Sequence, residues 1–310
     1  MSKFKFAPAE CVPFRDVKAI ERCRKIKRSE IEKHKNKDFK IRVVKDSDVE
    51  LIWITAMFSR INQAADEGRK LVMIMPNPAP SYRHVARLIN ALKVDCSKVV
   101  FFAMDEYANE KGEIAPESWK HGFGHALKKY MFNEIDPELR MPEKNVVLFT
   151  NKNIKDYGKM IADHGGADAC WSGPGWTGHL AFIEPDAPEF DMPLEEWKKC
   201  GPRIVTLSPF TLAQNSLYGG FGMSGDLAAV PPKAATIGPA EVIASKYRFD
   251  ISAIGIHGTA TSWQRLIARL CYHGPVSPRL PTSIHQLLKS DAYMSETIAR
   301  DIEPDWDKGY

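Results

Sequence analysis

Short apolar runs recur along this chain, each followed by a stretch of helical period, and that alternation leaves few architectures open. Strands are predicted at Leu71–Met75, Val99–Met104, Asn145–Phe149, Ala167–Trp171, Arg203–Ser208, Ala235–Gly238 and Ile251–Ile256. Helices are predicted at Asp46–Asp66, up to Leu92, and at His121–Phe132, Ile154–His164, Pro239–Tyr247 and Ser262–Tyr272. In the first of these, Leu51, Ile52, Ile54, Phe58 and Ile61 fall on one side. Strands that alternate with helices imply an α/β fold, a Rossmann-like and mainly parallel sheet with helices on both faces.

The remaining bounds come from composition and charge. With 310 residues and 44% hydrophobic content, the chain can bury a substantial core. No apolar run approaches the ~18 residues of a membrane span, and the opening Met1-Ser2-Lys3-Phe4-Lys5-Phe6 lacks a signal-peptide core. A cytoplasmic location without a membrane partner is the expectation. The six cysteines lack metal-like spacing, so reduced thiols are expected, with no disulfide framework and no metal; Cys170 alone lies near a motif. Residues 1–45 hold fifteen Lys and Arg against six Asp and Glu, a net +9 that leaves −5 for the rest of a +4 chain. Val17, Ile20, Ile26 and Ile31 recur near helical period there, so 1–45 reads as a basic helical extension with a solvated face rather than a nucleic-acid arm.

Two segments carry chemistry. In Trp171-Ser172-Gly173-Pro174-Gly175-Trp176-Thr177-Gly178-His179, an apolar run ends in a glycine-rich turn, and Glu184 follows the histidine by five residues. Glycines allow close backbone approach, and a histidine supported by a carboxylate moves protons near neutral pH. In Phe101-Phe102-Ala103-Met104-Asp105-Glu106-Tyr107, a second apolar run ends abruptly in two carboxylates. Strand ends of this kind are where open α/β sheets place their sites.

Together these segments resemble the glucosamine-6-phosphate deaminase/isomerase family, which shares its fold with the 6-phosphogluconolactonases. The landmarks are Met104-Asp105-Glu106-Tyr107, Pro116-Glu117-Ser118, Gly178-His179-Leu180-Ala181-Phe182 with Glu184-Pro185, Thr206-Leu207, Asn215-Ser216 and Pro232-Lys233-Ala234. They keep the family's order and cover about Leu51 to Leu288. The resemblance implies a single isomerase/deaminase-like domain over 46–310, with a lid-region insertion near 186–201, and it leaves a homo-oligomer open. It also implies roles: Asp105 as the base that moves a proton between C1 and C2, His179 as the ring-opening acid/base, and Glu184 as its support. Glu106 is expected to make a structural hydrogen bond. Lys233 matches a phosphate-contacting lysine, and Gly175, Trp176, Thr177, Asn77 and Ser81 are the further substrate-binding candidates. Such chemistry needs no cofactor.

Three positions depart from the pattern. Thr177 stands where the family has an aspartate, removing a negative charge beside the imidazole. Pro76-Asn77-Pro78-Ala79-Pro80-Ser81 replaces a glycine-rich phosphate turn, and its prolines lack N–H donors. Leu212 stands in place of a phosphate-binding arginine. Proton-handling groups are kept where anion-binding groups are lost. The expectation is therefore a sugar isomerase/deaminase acting on an amino sugar or sugar phosphate, with an altered or unphosphorylated substrate. Alternatives are a lactonase-like hydrolase and a non-catalytic sugar sensor.

Overall fold

The computed structural model describes Phe4, residues 6–76, 80–252 and 264–304. Its strands are β1 (Phe39–Val44), β2 (Leu71–Met75), β3 (Val99–Ala103), β4 (Asp105–Ala108), β5 (Val146–Val147), β6 (Ala169–Ser172), β7 (Arg203–Thr206), β8 (Lys233–Thr236), β9 (Arg248–Ser252) and β10 (Ser290–Ser295). The α-helices are α1 (Val17–Arg24), α2 (Val49–Asp66), α3 (Tyr82–Ala91), α4 (Phe123–Tyr130), α5 (Tyr157–Asp163), α6 (Leu194–Trp197), α7 (Pro209–Asn215), α8 (Pro239–Ala244), α9 (Gln264–His273) and α10 (Glu296–Ala299).

Seven strands form one sheet in the order β1-β10-β9-β6-β2-β3-β5, and every pairing in it is parallel. All residues of β2 and β3 are buried, as strands covered on both faces must be. The two-residue side-chain period divides them between two cores. Val72, Ile74, Val100 and Phe102 join the core that contains Tyr157 and Ile161 of α5 and Val242 of α8. Leu71, Met73, Met75, Val99 and Phe101 join the other, with Ile54, Met57 and Ile61 of α2 and Val85 and Ile89 of α3.

The chain moves from β2 to β3 on one side, while β6 takes up the other side of β2. The order reverses there, which is where a doubly wound sheet opens a crevice beyond its strand ends. The expected α/β, mainly parallel architecture is the one found.

A second sheet, β4-β8-β7, is antiparallel. It grows directly from the first. The Met104 N–H donates to Met75 O at 2.8 Å, closing the parallel ladder, and Met104 O accepts from the Ile237 N–H at 3.0 Å. At this single residue the backbone changes partner, and Asp105 is the first side chain beyond the change.

The boundary expected at residue 45 runs across this structure. β1 lies within the expected helical extension, yet pairs with β10 from Phe39↔Ser290 to Val44↔Ser295 as an edge of the main sheet. Phe39 and Ile41 share a buried cluster with Ile31, Tyr272, Ala292 and Met294. Helix α1 does form, capped by the Asp16 carboxylate, which accepts from the Ala19 N–H at 3.0 Å. It buries Ala19 and Cys23, while Val17 is exposed. The alternating Phe39-Lys40-Ile41-Arg42 pattern was masked by the surrounding lysines.

Residues 186–201, expected as an insertion, also pack inward. Phe190 and Trp197 are buried, and the Arg203 guanidinium lies over the Phe190 ring at 4.9 Å. All six cysteines are unpaired, and burial pushes the Cys170 thiol up to about 12, far from a nucleophile's range.

Candidate active site

The glycine turn follows β6 directly, and its geometry is set by what a side chain would strike. A Cβ at Gly175 would lie 1.9 Å from His179 Nε2, so only glycine lets the imidazole occupy its place. Gly178 has φ +81° and Ala181 φ +53°, a left-handed residue on either side of His179-Leu180. For alanine that conformation costs roughly 1 kcal/mol, which the surrounding contacts must offset. The Gly175 N–H donates to His179 O at 3.1 Å and the Gly178 N–H to Gly175 O at 3.0 Å, closing the turn on itself.

His179 and Thr177 are buried, at 7% and 6% exposure. His179 Nδ1 meets Thr211 Oγ1 at 3.0 Å, Thr177 Oγ1 at 3.3 Å and Glu184 Oε2 at 3.4 Å. Glu184 is fully buried, and among the described residues neither of its carboxylate oxygens has a hydrogen-bond partner. A buried carboxylate left without donors is costly unless a cation forms beside it. The nearby imidazole is the group that can become one. Thr177 thus stays in contact with the histidine as a hydroxyl, and Thr211 brings a second hydroxyl that the sequence did not suggest.

Asp105 follows the end of β3, with β2 between that strand and β6. It is 5% exposed, and burial, reinforced by the adjacent Glu106 charge, raises its carboxyl well above the usual range. Its register partner is Thr236, whose Oγ1 accepts from the Phe182 N–H at 3.2 Å, tying the Asp105 strand to the histidine segment. β3 and β6 flank β2, so the two strand ends lie about 10 Å apart across it. Glu106 makes structural hydrogen bonds: its carboxylate accepts from the Phe123 N–H at 3.1 Å and the Gly124 N–H at 2.7 Å, at the N-terminus of α4.

The remaining candidates are placed less uniformly. The Trp176 N–H donates to Gln214 Oε1 at 2.7 Å, and its half-buried ring sits next to Thr177 in the turn. Ser81 precedes α3 without a side-chain capping bond. Asn77 lies outside the described residues. Lys233 pairs with Ala108 and Thr206. By strand alternation it shares a face with Ala235 and, across the ladder, Glu106, whereas Thr236 and Asp105 share the other. The structure therefore does not bring Lys233 to the Asp105 face. Arg83, another cation near the proline turn, is held by Glu134 at 3.3 Å and lies over the Tyr130 ring. Leu212 packs against the core, as an apolar residue should.

Sequence reasoning missed three supports. One face of α7 presents Thr211 to His179, Gln214 to Trp176 and Asn215 to Tyr107, whose hydroxyl accepts from Asn215 Nδ2 at 2.9 Å. The i, i+3, i+4 spacing of these buried polar residues was the available signal. The 3-10 helix Pro281–Leu287 clamps the turn from behind, with the Thr282 N–H donating to Gly178 O and its Oγ1 to His179 O, both at 3.0 Å. A buried polar array then fixes the root of the turn: Ser172 Oγ donates to Asp250 Oδ1 at 2.6 Å and meets His285 Nε2 at 3.2 Å, while the Tyr272 hydroxyl donates to Asp250 Oδ2 at 2.6 Å. Because the Ser172 proton goes to Asp250, the serine oxygen is left to accept from a protonated Nε2.

No family model matches the chain. The glucosamine-6-phosphate deaminase of Phocaeicola vulgatus is 32% identical over 220 residues, which cover 66% of this chain and 75% of that protein. Those of Mannheimia succiniciproducens and Caenorhabditis elegans are 31% and 29% identical over 57% and 58% of this chain. The matched stretch spans only 61% and 62% of those two relatives. Among solved structures, a monomeric glucosamine-6-phosphate deaminase of the NagB superfamily superposes with TM-score 0.66 at 17% identity, covering 84% of this chain and 98% of that one. A 6-phosphogluconolactonase from Thermotoga maritima gives 0.57 at 14%, covering 83% and 99%. The structural likenesses establish the fold. The sequence match to the Phocaeicola protein settles descent, and with it the chain belongs to the glucosamine-6-phosphate deaminase family.

Proposed function

We propose that the chain is a cofactor-free sugar isomerase/deaminase whose substrate departs from the family's at the phosphate end. The observation that carries this reading is the buried His179–Glu184 pair, with Thr177 and Thr211 on the same ring nitrogen, one strand beyond the buried Asp105. Nδ1 faces the carboxylate, so Nε2, lying over the bare Gly175, is the nitrogen left to meet a substrate oxygen. It takes the anomeric hydroxyl proton and returns it to the ring oxygen as the C1–O bond breaks. Glu184 balances the imidazolium formed in between.

Asp105 then removes the C2 proton of the open aldose and delivers it to C1, while the proton lost by the C2 hydroxyl or amine passes to O1, leaving C2 at the carbonyl or imine level. Burial raises its basicity in the direction a general base at neutral pH requires. With an amine on C2, water adds there and ammonia leaves. Leu212, the proline turn and the Lys233 orientation together favour an amino sugar or aldose without a tightly held phosphate. Neither Lys233 nor the proline turn is assigned a substrate contact.

The test is incubation with glucosamine 6-phosphate and, separately, with unphosphorylated glucosamine, following ammonia and ketose. Turnover lost in both Asp105→Asn and His179→Gln, with folding intact, is the expected result. Sugars that raise the melting temperature without yielding product, equally in wild type and Asp105→Asn, would instead leave a sugar-binding sensor.

A further inference from the structure

At the opposite end of the sheet from the glycine turn, a cleft of about 530 Å³ is lined by Arg60, Arg69, Lys246 and Lys289, with Tyr247 and a single carboxylate, Asp168. The cations come from separate places: Arg60 from α2, Arg69 from the turn before β2, Lys246 from the approach to β9 and Lys289 from the approach to β10. The cleft gathers four cations against one carboxylate in a chain whose net charge is only +4.

Two of the cations are neutralised in place. Lys246 Nζ lies 2.8 Å from Asp168 Oδ1, and the Arg69 guanidinium contacts Glu67. Asp168 is further occupied by the Val72 N–H, which donates to its Oδ2 at 2.8 Å. The other two have no carboxylate partner among the described residues. The Arg60 guanidinium lies over the Tyr247 ring, 3.6 Å from its centroid, and the Tyr247 hydroxyl is itself anchored on Asp291 at 2.6 Å. Stacked there and hydrogen-bonded to the Tyr247 side chain, the Arg60 guanidinium is held at the cleft wall with no carboxylate to neutralise its charge. Lys289 is exposed.

From this arrangement we propose that the cleft binds a small phosphate- or polyphosphate-bearing metabolite, at a site separate from the His179 turn. The volume suits a ligand of sugar-phosphate to nucleotide size. A held guanidinium with an exposed ammonium on the same cleft suits compact, multiply charged oxyanions. β6 runs between the two places, its four residues separating Ala169 in the cleft from Gly173 in the turn by about 13 Å. A ligand in one site therefore leaves the other open.

Calorimetric titration of the full chain with inorganic pyrophosphate and with adenosine diphosphate, at 0.15 M salt, tests this. Saturable binding is expected, weakened about tenfold or more by Arg60→Gln with Lys289→Gln, and unchanged by His179→Gln and by Lys155→Gln at an exposed position elsewhere. Lys289→Gln alone, which disturbs no packing, should already weaken binding and covers the event that the double variant misfolds. A preference for pyrophosphate assigns a bare polyphosphate ligand, and a preference for adenosine diphosphate a nucleotide. No heat at millimolar ligand, or binding that the His179 variant removes while the Arg60 and Lys289 variants spare it, would overturn the proposal.

Discussion

At Gly175, one hydrogen stands where any other residue would place a carbon 1.9 Å from the His179 ring nitrogen. Its φ is not among the positive ones, so the backbone itself would accept alanine. Gly175→Ala should consequently fold, with the imidazole pushed from its contacts with Thr211 and Glu184. A displacement of about 1 Å in a reacting group costs around a hundredfold in turnover, read as kcat at near-normal Tm. Asp105 makes a different bargain. The folded protein holds its carboxyl proton to higher pH than the unfolded chain, where aspartate titrates near 3.9. The native state then binds more protons above about pH 3.9, and the stability contributed at this position falls as pH rises. Asp105→Asn, which cannot ionise, should raise Tm at pH 7, with the gain shrinking toward pH 4. An unchanged or lowered Tm at pH 7 would overturn the view that burial raises this carboxyl.

Elements were legible in proportion to how far their own composition announced them. Leu71–Met75 is apolar throughout and was read to the residue, and Val99–Ala103 nearly so. β4 was not, because Asp105 and Glu106 look like a loop until the backbone is seen to switch partners at Met104. β10, Ser-Asp-Ala-Tyr-Met-Ser, hides in the same way: half its residues are polar, and tertiary pairing on both sides decides its state. The predicted Ile251–Ile256 strand starts at Arg248 instead, and residues 253–256 lie outside the described residues. In the candidate site, glycines and abrupt carboxylates mark His179, Glu184 and Asp105 locally, and the structure places Glu184 at the imidazole. Thr211 and Thr282 were not, since hydroxyls reaching the turn from α7 and from the 3-10 helix Pro281–Leu287 leave no local mark. These supports can be weighed separately. Thr211→Val removes one hydrogen bond and should cost about 1 kcal/mol of stability, with turnover falling more than Tm implies. His285 acts through protons as well as packing. Burial holds its imidazole below the usual value, so as pH falls below about 6.5 the unfolded chain gains a proton that the folded chain refuses. Stability contributed there declines with acidity, and His285→Gln should flatten the Tm profile between pH 7 and 5 relative to wild type.

The whole molecule depends on its first forty-odd residues more than their charge suggests. Phe39, 2% exposed, packs edge-on to Tyr272 at 5.6 Å, and the Tyr272 hydroxyl donates to Asp250, which accepts from Ser172 at the root of the glycine turn. One row of contacts thus joins an edge strand to the His179 segment. Removing residues 1–45 would strip β1 from β10, uncover Ala292 and Met294, and expose a long strand edge of the kind that aggregates. A dispensable basic arm would instead leave a folded remainder. Phe39→Ala separates the two views without truncation. Loss of a buried phenyl group costs about 3–5 kcal/mol, and the same change should loosen Tyr272 and disturb the turn. Replacing the exposed Lys18, Lys25 and Arg24 of the α1 region by Gln should cost under about 0.5 kcal/mol. Urea unfolding of both variants decides the matter: equal midpoints would return the segment to an appendage, and a midpoint lowered only in Phe39→Ala makes β1 part of the domain that holds the site.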